Sequence, residues 1–310
     1  MAKQFKNVIT SVFLACSMLF SGLGLRICVA ADINEYHGNG FTILRILDKS
    51  NAIPVSYLLT EGRKKLSKTL PDGMCPSSFS TFLIINKDDI VLVDTGNGVK
   101  NGGKTQNILQ NAGYHPKDIT KIVLTHMHPD HLLGVLEKGG KAFPKATVYI
   151  GADEFAFWTS KANKAKAPEN QARTFDIAEE FARVYKGSIQ LFHAGDTLFS
   201  WLASEATPGH TSGHTSFSVK DNSITYLLSG DVIHCLAVQV SDPEVTVPWD
   251  TDQKLAAQTR RAMLAKTADS NIIVLGAHFP EPGAIRVHQS QRGDYVYQDV
   301  QPKNTRDVKP

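Results

Sequence analysis

The sequence predicts an α/β protein of the four-layer αββα sandwich type, with two facing sheets covered by helices on both outer surfaces. Residues 32–310 fall into two successive halves, each running from apolar strand patterns to amphipathic helix patterns. In both halves, histidines and aspartates sit where an apolar run ends, the position at which open α/β sheets place their ligands. A chain of 310 residues with 42% apolar content buries a core of that size.

Residues 1–31 read as a secretory signal. Lys3 and Lys6 give a basic start, residues 8–25 are apolar, and Ala30 and Ala31 supply the small residues of a cleavage site. The mature protein is expected to begin near Asp32 and to be periplasmic or secreted. Ser11, Ser17, Ser21, Gly22 and Gly24 dilute the apolar run and Arg26 interrupts it, so no stable membrane span is expected after cleavage. Removing the signal takes away Lys3, Lys6 and Arg26 and no acid, so the formal net charge falls from +3 to 0. A neutral domain has no general field for nucleic acid. Of the four cysteines, Cys75 and Cys235 remain after cleavage. A disulfide between them is open in an oxidising compartment, but two cysteines make no disulfide framework, and the favoured reading of Cys235, four residues past Asp231, is a small buried thiol near the site.

Along the mature chain, alternation over residues 41–47 predicts a strand, and residues 54–59 a second. Residues 60–78, with Pro71, Gly73 and Pro76, read as an irregular surface excursion over the site. Strands at 79–85 and 90–93 follow, the second ending in Asp94-Thr95-Gly96. Residues 96–103 are glycine-rich without the spacing of a phosphate loop, and read as a flexible rim. A helix over 105–111, a strand at 146–150 and helices over 152–160 and 175–185 come next, the last two separated by a polar insertion and suited to a cap. The second half places strands at 189–192 and 197–203, a hairpin of 216–220 with 224–228, a helix over 255–265, and closing strands at 284–287 and 295–300.

The chemistry centres on Thr125-His126-Met127-His128-Pro129-Asp130-His131, a tight loop after the apolar run 121–125. Imidazole and carboxylate are the ligands preferred by zinc and its first-row neighbours. His126 and His128 can point into one pocket, while Asp130 and His131 are offset enough to reach a second ion. Distant strand ends supply further ligands: His210 and His214 in a glycine-rich turn, Asp231 after 227–230, and His278 after 272–277.

This set, in this order, resembles the metallo-β-lactamase-fold hydrolases. Ala142-Phe143-Pro144, Ala152-Asp153-Glu154 with Trp158, Gly230-Asp231-Val232-Ile233, Asp242-Pro243 and Gly276-Ala277-His278-Phe279-Pro280 look like the subgroup containing methyl parathion hydrolase and secreted lactonases and arylesterases. The resemblance implies two divalent metal ions per chain, with Zn2+ first and Mn2+, Fe2+ or Co2+ as alternatives. His126, His128 and His210 would hold one, Asp130, His131 and His278 the other, and Asp231 would bridge them, with His214 only hydrogen-bonding in its turn. Asp94 would accept a hydrogen bond from a metal-bound imidazole and fix its orientation. Trp158 and Phe175 would line an aromatic leaving-group pocket, the alternative being ordinary core packing of an amphipathic helix. His234 falls where some lactonases of the superfamily carry a tyrosine that donates to the substrate carbonyl.

The expected reaction is hydrolysis of a small-molecule ester, lactone or phosphotriester by a metal-bridging hydroxide, with Asp130 orienting the nucleophile and shuttling its proton. The rim at 96–103 lacks an aromatic to hold an aryl phosphotriester, which favours lactone or ester. A β-lactam hydrolase, a non-catalytic metal-binding protein and, more weakly, a mononuclear iron oxygenase of the same fold stay open, as does a homodimer.

Overall fold

The computed structural model describes residues 32–60, 63–87, 89–221 and 223–303. The expected signal at 1–31 lies outside the described residues. The first sheet begins with β1 (Ile33–Gly38), β2 (Phe41–Pro54), β3 (Met74–Asn86), β4 (Asp89–Val93) and β5 (Lys121–Val123). After a two-residue hairpin of β6 (Leu136–Glu137) and β7 (Gly140–Lys141), it is completed by β8 (Thr147–Gly151) and β9 (Ile189–Phe192). Its order is β1-β2-β3-β4-β5-β8-β9, antiparallel as far as β4 and parallel from there on. The second sheet runs β10 (Thr197–Phe199), β11 (Leu202–Ala206), β12 (Thr215–Lys220), β13 (Thr225–Leu228), β14 (Ile272–Leu275), β15 (Ala284–Gln289) and β16 (Tyr295–Asp299), in chain order. Only β13 and β14 pair in parallel there.

Strand alternation sorts the core into layers. Ile84, Val91, Val93 and Val123 of the first sheet meet Phe217, Val219, Leu228 and Leu275 of the second. Leu83, Leu92, Ile122 and Val148, on the opposite face, pack under α2 (Thr105–Asn111), the single-turn α3 (Pro129–Leu132), α4 (Ala152–Trp158) and α6 (Glu169–Val184), with α5 (Lys161–Lys166) between the last two. Beyond the second sheet, Leu227, Val274 and Ile285 pack against Met263 and Leu264 of α8 (Gln253–Thr267). The predicted αββα sandwich is the observed one. Two small helices, α1 (Arg63–Thr69) and α7 (Leu236–Gln239), cap one end.

Four expectations are corrected. Residues 189–192 pair in parallel with β8 and belong to the first sheet, because the crossover through α4, α5 and α6 returns the chain beside the strand it left. Residues 54–59 form a 3-10 turn and an isolated bridge from Leu59 to Thr246, Pro54 having ended β2. Residues 74–78 are part of β3 and pair with β2. Pro76 is tolerated because β4 reaches only Phe82–Asn86, leaving β3 an edge at that point. This extension of β3 carries Cys75 to Cys235, and the two form a disulfide rather than free thiols, with an S–S distance of 2.00 Å. Both sulfurs are buried with Val238, Val245 and Val247.

Candidate metal centre

The ligand loop starts where β5 ends. Pro129 opens the single helical turn of α3 with His128 as its N-cap, a geometry that Pro at the first helical position favours. This throws His126, His128, Asp130 and His131 to one side of the strand end. The turn after β11 brings His210, the end of β13 brings Asp231, and the end of β14 brings His278. All seven converge. His126, His128, His210 and Asp231 form one group whose ligand atoms lie within 4.8 Å of one another, and Asp130, His131, Asp231 and His278 form a second. Asp231 belongs to both. Its Oδ2 lies 3.2 Å from His210 Nε2, 3.6 Å from His126 Nε2 and 2.9 Å from His278 Nε2, while its Oδ1 lies 3.1 Å from His131 Nε2.

Four imidazoles are held by one ring nitrogen and present the other to the centre. His126 Nδ1 meets Thr125 Oγ1 at 3.0 Å, and His131 Nδ1 meets Asp94 Oδ2 at 2.8 Å. His210 Nδ1 meets Asp250 Oδ1 at 2.9 Å, and His278 Nδ1 meets the carbonyl of Ser78 at 2.8 Å. Such partners fix the ring and its tautomer, leaving Nε2 with its lone pair inward. Asp94 directly follows β4. It also accepts from the Thr125 N–H and hydroxyl at 2.8 Å each, and holds a left-handed φ of 57°. That conformation costs energy for a residue with a Cβ, and strain of this kind gathers at functional sites.

The buried charge calls for cations. Of six buried side-chain polar atoms without a hydrogen-bond partner among the described residues, five belong to His126, His131, Asp231 and His234. Burial raises the Asp231 carboxyl, but His131, His278 and His126 outweigh it and hold it well below the usual range. Burial likewise depresses His131, yet Asp231, Asp130 and Asp94 hold it well above an ordinary histidine. His210 is pushed down by burial and brought up to about 9 by Asp231 and Asp250. Positive charge is thus demanded at the centre, and the His/Asp donor set fits divalent metal ions.

His214 stays out of both groups. Two residues with no role assigned from the sequence complete the frame. Asp250 holds His210. Glu154, fully buried, accepts from Met127 N–H (2.9 Å), Trp158 Nε1 (2.8 Å), Thr211 Oγ1 (2.7 Å) and Gly213 N–H (3.1 Å), tying the His126–His131 loop to the His210 turn. Their only sequence signal is an acid in a short loop or first helical turn.

A cavity of about 420 Å3 opens over the cluster. Trp158 and Phe175 do not line it, contrary to expectation. Both are buried, with ring centroids 4.7 Å apart, and Trp158 backs His128 at 5.5 Å. The apolar walls are Ile53, Phe79 and Trp249, and the start of α6 contributes Asn170, Gln171 and Arg173. His234 faces the same cavity. Its ring stacks on His278 at 4.8 Å and meets Trp249 edge-on at 5.6 Å, with Nε2 3.3 Å from Asp231 Oδ2. The glycine-rich segment 96–103 is not a loose rim, since the buried carboxylate of Asp48 binds both its ends.

The fold is shared with solved hydrolases. The structure of hydrolase AbOPH in the beta lactamase superfamily is 26% identical with a TM-score of 0.82, over 89% of this chain and 99% of that one. AidC, a dizinc quorum-quenching lactonase in complex with a product, is 23% identical with a TM-score of 0.80, over 88% and 98%. The uncharacterized protein YobT of Bacillus subtilis (strain 168) is 29% identical over 151 residues, 48% of this chain. The chain spans about three fifths of the length of the curated relatives it matches, at 60% and 61%. The family model of the metallo-beta-lactamase superfamily matches residues 77–278, and the chain belongs to that superfamily.

Proposed function

We propose that this chain is an exported hydrolase of esters or lactones working with two divalent cations, zinc first among them. The observation that carries this is the convergence of seven ligand side chains, four of whose five imidazoles are each held through one nitrogen with the other facing Asp231. His126, His128, His210 and Asp231 would hold one cation; Asp130, His131, His278 and Asp231 would hold the other. Bound cations supply Lewis-acid polarisation of the substrate oxygen and a water acidified towards neutrality.

The chain's own residues do the rest. Asp130 is the one partly exposed carboxylate of the cluster, with Oδ2 3.3 Å from His131 Nε2, and it takes the proton released beside the centre. His234, depressed to about 4 by burial, stays neutral at pH 7 and offers one ring N–H to the substrate carbonyl. Ile53, Phe79 and Trp249 exclude water from the acyl or alkyl part. The Cys75–Cys235 disulfide supports export, since such bonds persist in oxidising compartments. Phosphotriesters remain second to carbonyl substrates.

The test is to purify the chain from residue 32 onward, load it with zinc, and assay lactones, aryl esters, phosphotriesters and β-lactams. Turnover of a lactone or ester that is lost on chelation and restored by zinc is expected. Turnover of β-lactams alone, or of nothing at full metal occupancy, would overturn the proposal.

A further inference from the structure

The glycine-rich segment 96–103 has no part in the chemistry proposed above, yet it is unusually well held. Asp48, buried at the register shift of β2 between Leu47 and Lys49, accepts five hydrogen bonds: from Asn97 N–H (2.9 Å) and Nδ2 (3.0 Å), Lys104 N–H (2.8 Å), and Thr105 N–H (2.9 Å) and Oγ1 (2.7 Å). Glycine is required at two points of this wrap. A Cβ at Gly96 would lie 2.6 Å from Asp48 Oδ1 and at Gly103 2.9 Å from it, and Gly96 has a φ of 77°. The fixed Asn97 carbonyl accepts from Asn101 Nδ2 at 3.0 Å, which turns Asn101 Oδ1 outward. That oxygen receives Nη2 of Arg173 at 3.2 Å.

Arg173 sits in the first turns of α6 and lines the cavity that holds Asp130, Asp231 and His234. Two other basic side chains of this cap are paired with acids: Lys164 with Asp176 and Glu179, and Arg183, further along α6, with Glu180. Arg173 has no carboxylate within ion-pair distance among the described residues, and its single bond to a neutral amide orients the guanidinium without cancelling its charge. The remaining N–H groups form a planar fork, the geometry that grips a carboxylate or a similar oxyanion.

We propose that Arg173 sets substrate choice, selecting esters or lactones that carry a carboxylate or comparable anion at the end remote from the scissile bond. This rests on the hydrolase reading above. Asn101 is the positioning residue for Arg173, and the glycine segment bound to Asp48 is its support.

Two six-carbon 4-nitrophenyl esters test this, the adipic acid monoester and the neutral hexanoate, assayed with the zinc-loaded protein. The wild type should favour the anionic ester by about two- to fivefold in kcat/KM, carried by KM, with the preference shrinking as salt is added. Arg173→Gln should bring the ratio of the two esters towards one, Arg173→Lys should restore part of it, and Asn101→Ala should lose part of it. Calorimetric titration of adipamic acid and hexanamide provides a readout without turnover: the acid should bind more tightly to the wild type, and this advantage should vanish in Arg173→Gln. Equal KM values for the two esters in the wild type, or an anionic preference that survives Arg173→Gln because the carboxylate is captured elsewhere, overturns the inference while leaving the hydrolase reading standing. If no ester or lactone is cleaved at all, the hydrolase reading falls, and the titration alone decides whether Arg173 is an anion site.

Discussion

The imidazole of His214 accepts the backbone N–H of Asp231 at its Nε2, at 3.0 Å. Its Nδ1 lies 2.8 Å from Thr207 Oγ1 and 3.1 Å from the Thr207 carbonyl, so Nδ1 carries the proton and Nε2 the lone pair. Burial, reinforced by His210, holds this imidazole down to about 3, which keeps it neutral and able to accept. The carboxylate shared by both groups is thus positioned through its own main chain. Gly230 permits the approach, since a Cβ there would lie 2.6 Å from His214 Nε2.

His214→Ala should therefore act on Asp231 without removing a ligand. An orphaned buried N–H costs about 1–3 kcal/mol. Zinc affinity should fall about 10- to 100-fold, as for other groups that support a ligand. Chelator competition and thermal melting check both. A clean loss of one zinc per chain would instead mark His214 as a ligand.

Asp231→Asn keeps the shape and removes the charge shared by the two groups. The variant should retain fewer than two zinc ions per chain after dialysis, measured by elemental analysis, and lose most of its activity. Ser212→Ala, an exposed residue of the same turn as His210, should stay within about tenfold of the wild type, roughly 1.4 kcal/mol in the barrier. A dead Ser212→Ala protein with its metals intact would point to a covalent nucleophile.

Cys75 and Cys235 close a loop across a sequence separation of 160 residues. Replacing both by alanine should cost roughly 2–5 kcal/mol, most of it through a freer unfolded chain. Urea unfolding of the double variant, and of the wild type with and without reductant, measures this. Cys235 follows His234 directly, so activity should fall in step. Unchanged midpoints under reductant would show that the bond carries none of the stability.

Asp221 accepts the backbone N–H groups of Asn39, Ser223 and Ile224, which lower its carboxyl to about 2. With a depressed folded value, its contribution is complete above the ordinary carboxylate value of about 4 and disappears as the pH falls through about 2. Asp221→Ala should melt below the wild type at pH 7, and the gap should close between pH 4 and pH 2. A gap of constant size down to pH 2 would exclude the carboxylate charge as its source.

The strand-and-ligand pattern was readable because it is local. An apolar run followed by histidine or aspartate marks His126, Asp231 and His278 within a few residues of chain, and periodicity places the strands beneath them. What escaped depends on pairing at a distance. Asp250 reaches His210 across 40 residues, and Glu154 reaches Thr211 across 57. Neither acid has a neighbour in sequence that betrays its partner. Pro76 disguised the start of β3, and with it the route of Cys75 to Cys235. Trp158 and Phe175 failed for another reason, since helical spacing gives the same pattern whether an aromatic ring lines a cavity or packs beneath it.

The ligand set is divided between the sheets. His126, His128, Asp130 and His131 come from the first, and His210, Asp231 and His278 from the second. Neither half alone owns a complete coordination sphere, and the carboxylate common to both groups arrives late in synthesis. With the two cations proposed above, metal occupancy would serve as an assembly checkpoint. A chain cut short before Asp231, or one whose halves have docked out of register, would lack a place for both proposed ions, so zinc stoichiometry would read out architectural completeness as well as readiness for chemistry.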